Sequence, residues 1–572
     1  MSELLPTMQA SSIRGGLLDY LVTTFALSDA DALEALDLFL SDPSSGMFKG
    51  PYARLRLPFR PADEGWRETL EWYEGFVPYG HQAAAFARLS SSVGGRRRRP
   101  LPTLVTTGTG SGKTEAFLHP ILDHVLRARR DGITGMKALI LYPMNALAND
   151  QALRLTQMLT GNPALGSITA ALYTGQDGPA RTTVTADGLI TDRGIIRDTA
   201  PDILLTNYKM LDQLLLRRDD QELWRQSAMS LQYLVLDEFH TYDGAQGTDV
   251  AMLLRRLGLA LKSYWPEVDS RLTTGDWARP LGRITPVATS ATLGDKGDPA
   301  VMVGFASTVF GEEFDADSIV TESRLSLAEW VGDAPGRVAA LGVVPIAAAD
   351  IDVEAANAAI DALGHDPAAA DICSAVLASM YSGDASAVEL VDAARAHPLV
   401  QAMALAAVDA IALDDLVAAV VGSPAGSKRT PAGGPSAWAA YLSSVIAMLG
   451  HVRAVTGRAA LSVDVHMWIR ELTRIDRAAD STTRFRWGDD GPPLAGLDFE
   501  EVRPSFPAVY CRHCGRSGWG VSLAPAGADL AGDDEAIRRN HAVREGRFRA
   551  LMYAPAEADR AALDARDPAE GL

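Results

Sequence analysis

Cysteine is nearly absent, with three in 572 residues. So few thiols exclude a disulfide framework and favour a reducing compartment, so a cytoplasmic location is expected. Long apolar runs are missing too: no stretch of about 18 uncharged apolar residues occurs, and the opening Met1-Ser-Glu-Leu-Leu-Pro6 has neither the basic nor the apolar part of a secretory signal. A membrane partner is therefore not expected. Nor is there a basic excess. The formal charge of −19 excludes a general coating of nucleic acid, so any such binding must use a local groove whose phosphate contacts outweigh the overall repulsion. What the chain does have is 47% hydrophobic residues, enough for large cores. At about 150 residues per domain the length predicts three or four domains.

The most informative stretch is Leu104-Val-Thr-Thr-Gly108-Thr-Gly-Ser-Gly112-Lys113-Thr114, an apolar run that breaks into glycines and ends in Lys-Thr. Glycines let a loop curl so that several N–H groups face one anion, and a helix starting at Lys113 turns its positive end to the same place. Thr107, Gly108, Thr109, Gly110, Ser111 and Gly112 are thus candidate phosphate-cradling positions. Lys113 would reach the outer phosphates and Thr114 would bind Mg²⁺. The strict pattern has glycine where this chain has Thr107.

Two further strand ends follow. Leu231–Leu236 delivers Asp237-Glu238-Phe239-His240 to the carboxyl edge of a predicted sheet, where open α/β folds bind ligands. Asp237 is expected to hold Mg²⁺ and Glu238 to orient and deprotonate an attacking water. Some fifty residues on, Ile284–Thr289 leads into Ser290-Ala291-Thr292, whose hydroxyls could bond the carboxylates and His240 and so couple the site to a neighbouring surface. Between these lie more strand–helix alternations: Lys137–Tyr142 into Asn145–Gln151, Ile168–Tyr173 into Thr174-Gly175, and Asp202–Thr206 into Asn207. This order predicts α/β architecture, a parallel sheet flanked by helices. Upstream, Gln82 has the donor and acceptor needed to read an adenine edge. The run Arg96-Arg-Arg-Arg99 reads as a solvated loop or a nucleic-acid contact.

As a set, these stretches resemble the DEAD/DEAH-box helicases of superfamily 2, over about 250 residues. Gln82 resembles the adenine-reading glutamine, Thr107–Thr114 motif I, Tyr142–Gln151 motif Ia, Thr174-Gly175 the TG turn, Thr206-Asn207 motif Ib, Asp237–His240 the DExH box and Ser290–Thr292 motif III. The resemblance implies a RecA-like P-loop domain, ATP with Mg²⁺ as cofactors, hydrolysis coupled to nucleic acid, and Asn145, Thr174, Gly175, Thr206 and Asn207 along one strand's backbone. DNA is expected ahead of RNA. The phrasing Tyr142-Pro-Met-Asn-Ala-Leu-Ala148 is similar to large bacterial helicases of the Lhr-like and DUF1998-associated types, including those of phage-defence loci. A nucleotide-gated binding module is the alternative reading.

The expected organisation is a helical N-terminal region over 1–58, the RecA-like body over 59–325, an alanine-rich helical insertion over 326–455, a connector over 456–522 and a polar tail over 523–572. The connector carries Cys511-Arg-His-Cys514-Gly515, a knuckle that could offer two thiolates to Zn²⁺, although a structural site needs four ligands. After Thr292 no second strand–helix series and no arginine-finger motif is found. The expectation is a second RecA-like domain supplied by another polypeptide or lost by truncation, and weak hydrolysis by these residues alone.

Overall fold

The computed structural model describes residues 6–72, 75, 77–108, 110–176, 178–291, 299–364, 367–421, 433–480, 482–489, 504–524, 526, 530–531, 534–543, 546–554, 557 and 560. Of the expected site residues, Thr109 and Thr292 lie outside this set. The chain divides into two compact units, Phe59–Leu325 and the combination of Met1–Pro58 with Ser326–Leu572.

The first unit is built on seven strands: β1 Thr103–Thr106, β2 Ala138–Tyr142, β3 Ala170–Tyr173, β4 Ile203–Asn207, β5 Tyr233–Leu236, β6 Thr285–Ser290 and β7 Ile319–Thr321. They lie in the order β7-β1-β6-β5-β2-β4-β3, and every neighbouring pair is parallel. The strands read as unbroken apolar runs because both faces are covered. Alternate residues Leu139, Leu141, Leu204, Leu234, Leu236 and Ala288 enter one core. Ala138, Ile140, Tyr142, Ile203, Leu205, Val235 and Val287 enter the other. Period-two side-chain alternation in a doubly covered sheet requires this division. The architecture is α/β, a parallel sheet covered by helices on both faces, as the alternating pattern predicts.

Three helices position the site: α1 Gly80–Leu89, α2 Lys113–Arg130 and α3 Asn145–Gly161. The face of α2 bearing Phe117, Ile121, Leu122 and Val125 is fully buried, and Arg127, Arg129 and Arg130 sit in its last turn, where cations complement the helix dipole. Pro120 lies inside α2, past the first turn where a proline is tolerated, and leaves the Ala116 carbonyl without its i→i−4 donor.

In the second unit, helices Pro6–Thr24 and Ala30–Ser41 form the expected helical start, with Asp29 capping the second. The region is not helical throughout, however. Phe48–Arg56 is a strand pairing antiparallel with Ser462–Ile469 and Ile411–Ala412. The alanine-rich stretch is mainly helical and ends in Pro435–Thr456, long and apolar enough to cross a membrane by length and composition but with Trp438, Leu442, Ile446 and Leu449 buried in the protein. Residues of the expected connector and tail share one antiparallel sheet: Ser517–Leu523 pairs with Ser505–Tyr510 on one side and Phe548–Met552 on the other. A boundary near 522 would fall inside a strand.

Candidate active site

The carboxyl ends of β1, β5, β6 and β7 meet at one rim, and the glycine-rich loop leaves β1 there. Gly110 and Gly112 have φ of +77° and +79°, in the left-handed region where a side chain is strained. At Gly112, the residue capping α2, a Cβ would also lie 2.3 Å from Gln82 Nε2. The loop is held from several directions. Thr107 Oγ1 and Ser111 Oγ are 2.6 Å apart, the His81 ring nitrogen Nε2 is 2.9 Å from Ser111 O, and Gly108 N donates to Glu322 Oε2 at 3.1 Å. Glu322, just past β7, is braced by Arg324 Nε at 2.9 Å. Burial pushes the His81 pKa down, against the opposing bond to Ser111 O.

The acidic pair follows β5. Asp237 is buried, and burial pushes its pKa up, with the neighbouring Glu238 adding to the rise; a hydrogen bond from Thr289 and the charge of Lys113 oppose it. Thr289 Oγ1 donates to Asp237 Oδ1 and accepts from Glu238 N at 3.3 Å. Glu238 is the one non-glycine residue with positive φ (49°) among the described residues. Such a conformation costs about 1–2 kcal/mol and persists where the surroundings enforce it, as at active sites. Lys113 Nζ lies 3.5 Å from Glu238 Oε1, and His240 Nδ1 lies 3.5 Å from Glu238 Oε2 and 3.3 Å from Ser290 Oγ. The loop, the acidic pair and the hydroxyls of β6 thus converge on one rim.

Several expected roles shift in detail. Gln82 is buried, its Oε1 accepting from Tyr79 N at 2.8 Å and its Nε2 donating to Gly112 O at 3.1 Å. In this arrangement it clamps the loop rather than presenting its amide to a base. The hydroxyl on Asp237 belongs to Thr289, which sequence reasoning passed over; Ser290 reaches His240, and Ala291 is half-buried at the end of the strand. Thr206 is fully buried and donates to Tyr173 O at 2.6 Å, so it supports the strand end below Thr174-Gly175 instead of facing a nucleic-acid backbone. At that turn Thr174 is buried and Gly175 is exposed. Asn145 and Asn207 remain half-buried on the rim, joined by a 2.6 Å bond from Asn207 Nδ2 to Asn145 Oδ1.

For a divalent cation the residues fit. Asp237 is a buried carboxylate beside a second one, Glu238 Oε2 is buried without a hydrogen bond, and the Thr114 hydroxyl, now 3.4 Å from Gln151 Oε1, stands at the start of α2. For zinc they do not. The Cys511 thiol is drawn down in pKa by the backbone N–H groups of Cys514 and His513, as a knuckle does. Yet among the described residues no group of three His, Cys, Asp or Glu is placed to hold a metal, and two thiolates fall short of the four ligands of a structural site.

A family model described as DEAD/DEAH box helicase matches residues 80–296. The Druantia protein DruE of Escherichia coli is 27% identical over 36% of this chain and 16% of its own length. The ATP-dependent helicase hrq1 of Schizosaccharomyces pombe is 31% identical over 31% of this chain and 14% of its own. The crystal structure of the DUF1998 helicase MrfA bound to DNA aligns with 24% identity and a TM-score of 0.32 over 49% of this chain and 33% of that one. The chain thus spans less than a fifth of the length of these two curated relatives. The matched segment begins with α1, contains the glycine loop, the acidic pair and β6, and ends just past Ala291: residues 80–296 form a DEAD/DEAH box helicase domain.

Proposed function

We propose that the 59–325 unit binds and hydrolyses ATP with Mg²⁺ and couples this cycle to a nucleic-acid strand, DNA ahead of RNA, as part of an ATP-dependent helicase or translocase. The observation that carries the reading is the meeting of Lys113, Asp237 and Glu238 at the rim where the glycine loop ends, with Lys113 Nζ 3.5 Å from Glu238 Oε1. Such a lysine can exchange its carboxylate partner for a phosphate oxygen, leaving Glu238 to take a proton from water. Mg²⁺, held by Asp237 and the Thr114 hydroxyl, would neutralise charge on the phosphates. Loop N–H groups at Gly110–Lys113 orient the anion, and Gln82 is positioned to change partners when a base arrives. On the same rim Asn145, Thr174, Gly175 and Asn207 would line the strand path, with Thr206 supporting them from beneath. A second RecA-like domain would contribute the transition-state arginine, so hydrolysis by this chain alone is expected to be slow.

Phosphate release by the full chain, with and without single-stranded DNA or RNA, tests this reading. DNA should stimulate release, Glu238→Gln should bind ATP without releasing phosphate, and Lys113→Ala should do neither. Parental turnover by Glu238→Gln would overturn the assignment of the base.

A further inference from the structure

The Arg96–Arg99 run is not accounted for by the nucleotide rim. It lies by the amino-terminal ends of the strands, where Arg99 Nη2 donates to Ile284 O just before β6 (3.0 Å) and Thr285 Oγ1 to Pro100 O (3.1 Å). There it borders a cavity of about 430 Å³. Seven arginines line it: Arg97, Arg98 and Arg99 from the run, Arg127 from α2, and Arg271, Arg279 and Arg283 from the segment before β6. Only two carboxylates, Asp131 and Asp276, share the lining. In a chain of net charge −19 this is a strong local reversal of sign.

The charge is only partly answered within the protein. Arg97 pairs with Asp131, Arg127 with Asp123 (2.6 Å) and Glu71 (3.5 Å), Arg271 with Asp269, Arg279 with Asp276 and Glu312 (3.8 Å), and Arg99 with Glu312 (3.4 Å). Arg98 and Arg283 have no carboxylate partner among the described residues. Arg98 donates to carbonyls, from Nε to Ser90 O at 2.9 Å and from Nη2 to Ala87 O, and Arg283 makes one long contact, Nη1 to Met229 O at 3.4 Å, out of five N–H donors. His124, on the same wall, reports the field: desolvation pushes its pKa down, and the charges of Arg127, Lys137, Arg97 and Arg283 push it further.

We propose that this cavity, on the rim opposite the glycine loop, is a second anion site that takes a chain of two or three phosphoryl groups. Planar guanidiniums converging from three segments suit several phosphate oxygens at once, each fork able to donate a pair of parallel N–H bonds to two oxygens. A single phosphate would reach only some of them. The phosphoryl groups can come from a free polyphosphate or from a nucleic-acid backbone.

The test uses the full chain carrying Lys113→Ala, which silences the glycine loop, titrated calorimetrically with inorganic tripolyphosphate. Binding at one equivalent is expected, weakened about tenfold or more by the pair Arg98→Ala and Arg283→Ala. Folding is checked by making the pair with Lys113 intact, where phosphate release from ATP, which only the glycine-loop site performs, should proceed at the parental rate. If the pair does not fold, Arg283→Gln alone must show the weakening. Displacement of tripolyphosphate by a short 5′-hydroxyl oligonucleotide assigns the phosphodiester source, and its failure assigns the free one. No binding to the Lys113→Ala chain, or the same affinity once the arginines are gone, would overturn the proposal.

Discussion

Thr289→Val removes one hydroxyl and keeps the shape of the side chain, so its effect is calculable. Thr289 Oγ1 is the donor on Asp237 Oδ1 and the acceptor for Glu238 N, and both Thr289 and Asp237 are buried. A hydrogen bond to a charged, buried carboxylate is worth about 1.5–3 kcal/mol, and at about 1.4 kcal/mol per unit its loss raises a pKa by about one to two units. The direction is fixed: burial already holds the Asp237 pKa above its usual range, and the Thr289 bond opposes that rise. Without it the carboxylate takes up its proton at higher pH. Because Mg²⁺ needs the ionised form, the midpoint of Mg²⁺-dependent binding of a fluorescent ATP analogue, followed between pH 5 and 9, should move up by about one to two units. Thr289→Ser, which keeps the donor, should leave it in place. An unchanged midpoint in Thr289→Val would refute the role given to this hydroxyl.

Asp237→Asn should raise the melting temperature of the metal-free chain while abolishing Mg²⁺-dependent nucleotide binding. A carboxyl whose folded pKa is raised contributes stability below its unfolded pKa and loses it as pH rises through the folded one. The gain over the parent should therefore grow from pH 4 to pH 8, at about 2–4 °C per kcal/mol; a lower melting temperature at pH 8 would contradict it. Gly112→Ala forces a side chain into a left-handed conformation costing about 1–2 kcal/mol and pushes against Gln82, so thermal stability and nucleotide affinity should both fall. Thr206→Val should cost about 0.5–1.5 kcal/mol in urea unfolding and leave the salt dependence of DNA binding unchanged. Asn145→Ala should weaken DNA binding with little change in stability.

The motifs on β1, β5 and β6 were legible because each is local: an apolar strand followed at once by its polar end. What was hidden depends on register. Leu236 pairs with Ala288, and only that alignment sets Thr289 beside Asp237. Likewise Thr321 pairs with Thr106, which brings Glu322 to Gly108 across 214 positions of sequence. The strand Phe48–Arg56 escaped notice for the same reason, since its partner Ser462–Ile469 lies some 400 residues on and pairing at that range leaves no local period. Gln82 and Thr206 were recognised by type, but their burial follows from the packing of α1 on the glycine loop and of β4 beside β3. Residue identity alone carries neither fact.

The most direct test of a nucleotide site at the carboxyl rim is the affinity of the full chain for Mg²⁺–ATP, measured calorimetrically in the parent, Lys113→Ala and Glu238→Gln. Measured with Arg98→Ala and Arg283→Ala present in all three chains, so that the arginine cavity is silent, the account predicts one site with the other residues intact, lost in Lys113→Ala and retained in Glu238→Gln, whose carboxamide no longer repels the phosphates. Equal affinity in the parent and Lys113→Ala would contradict it.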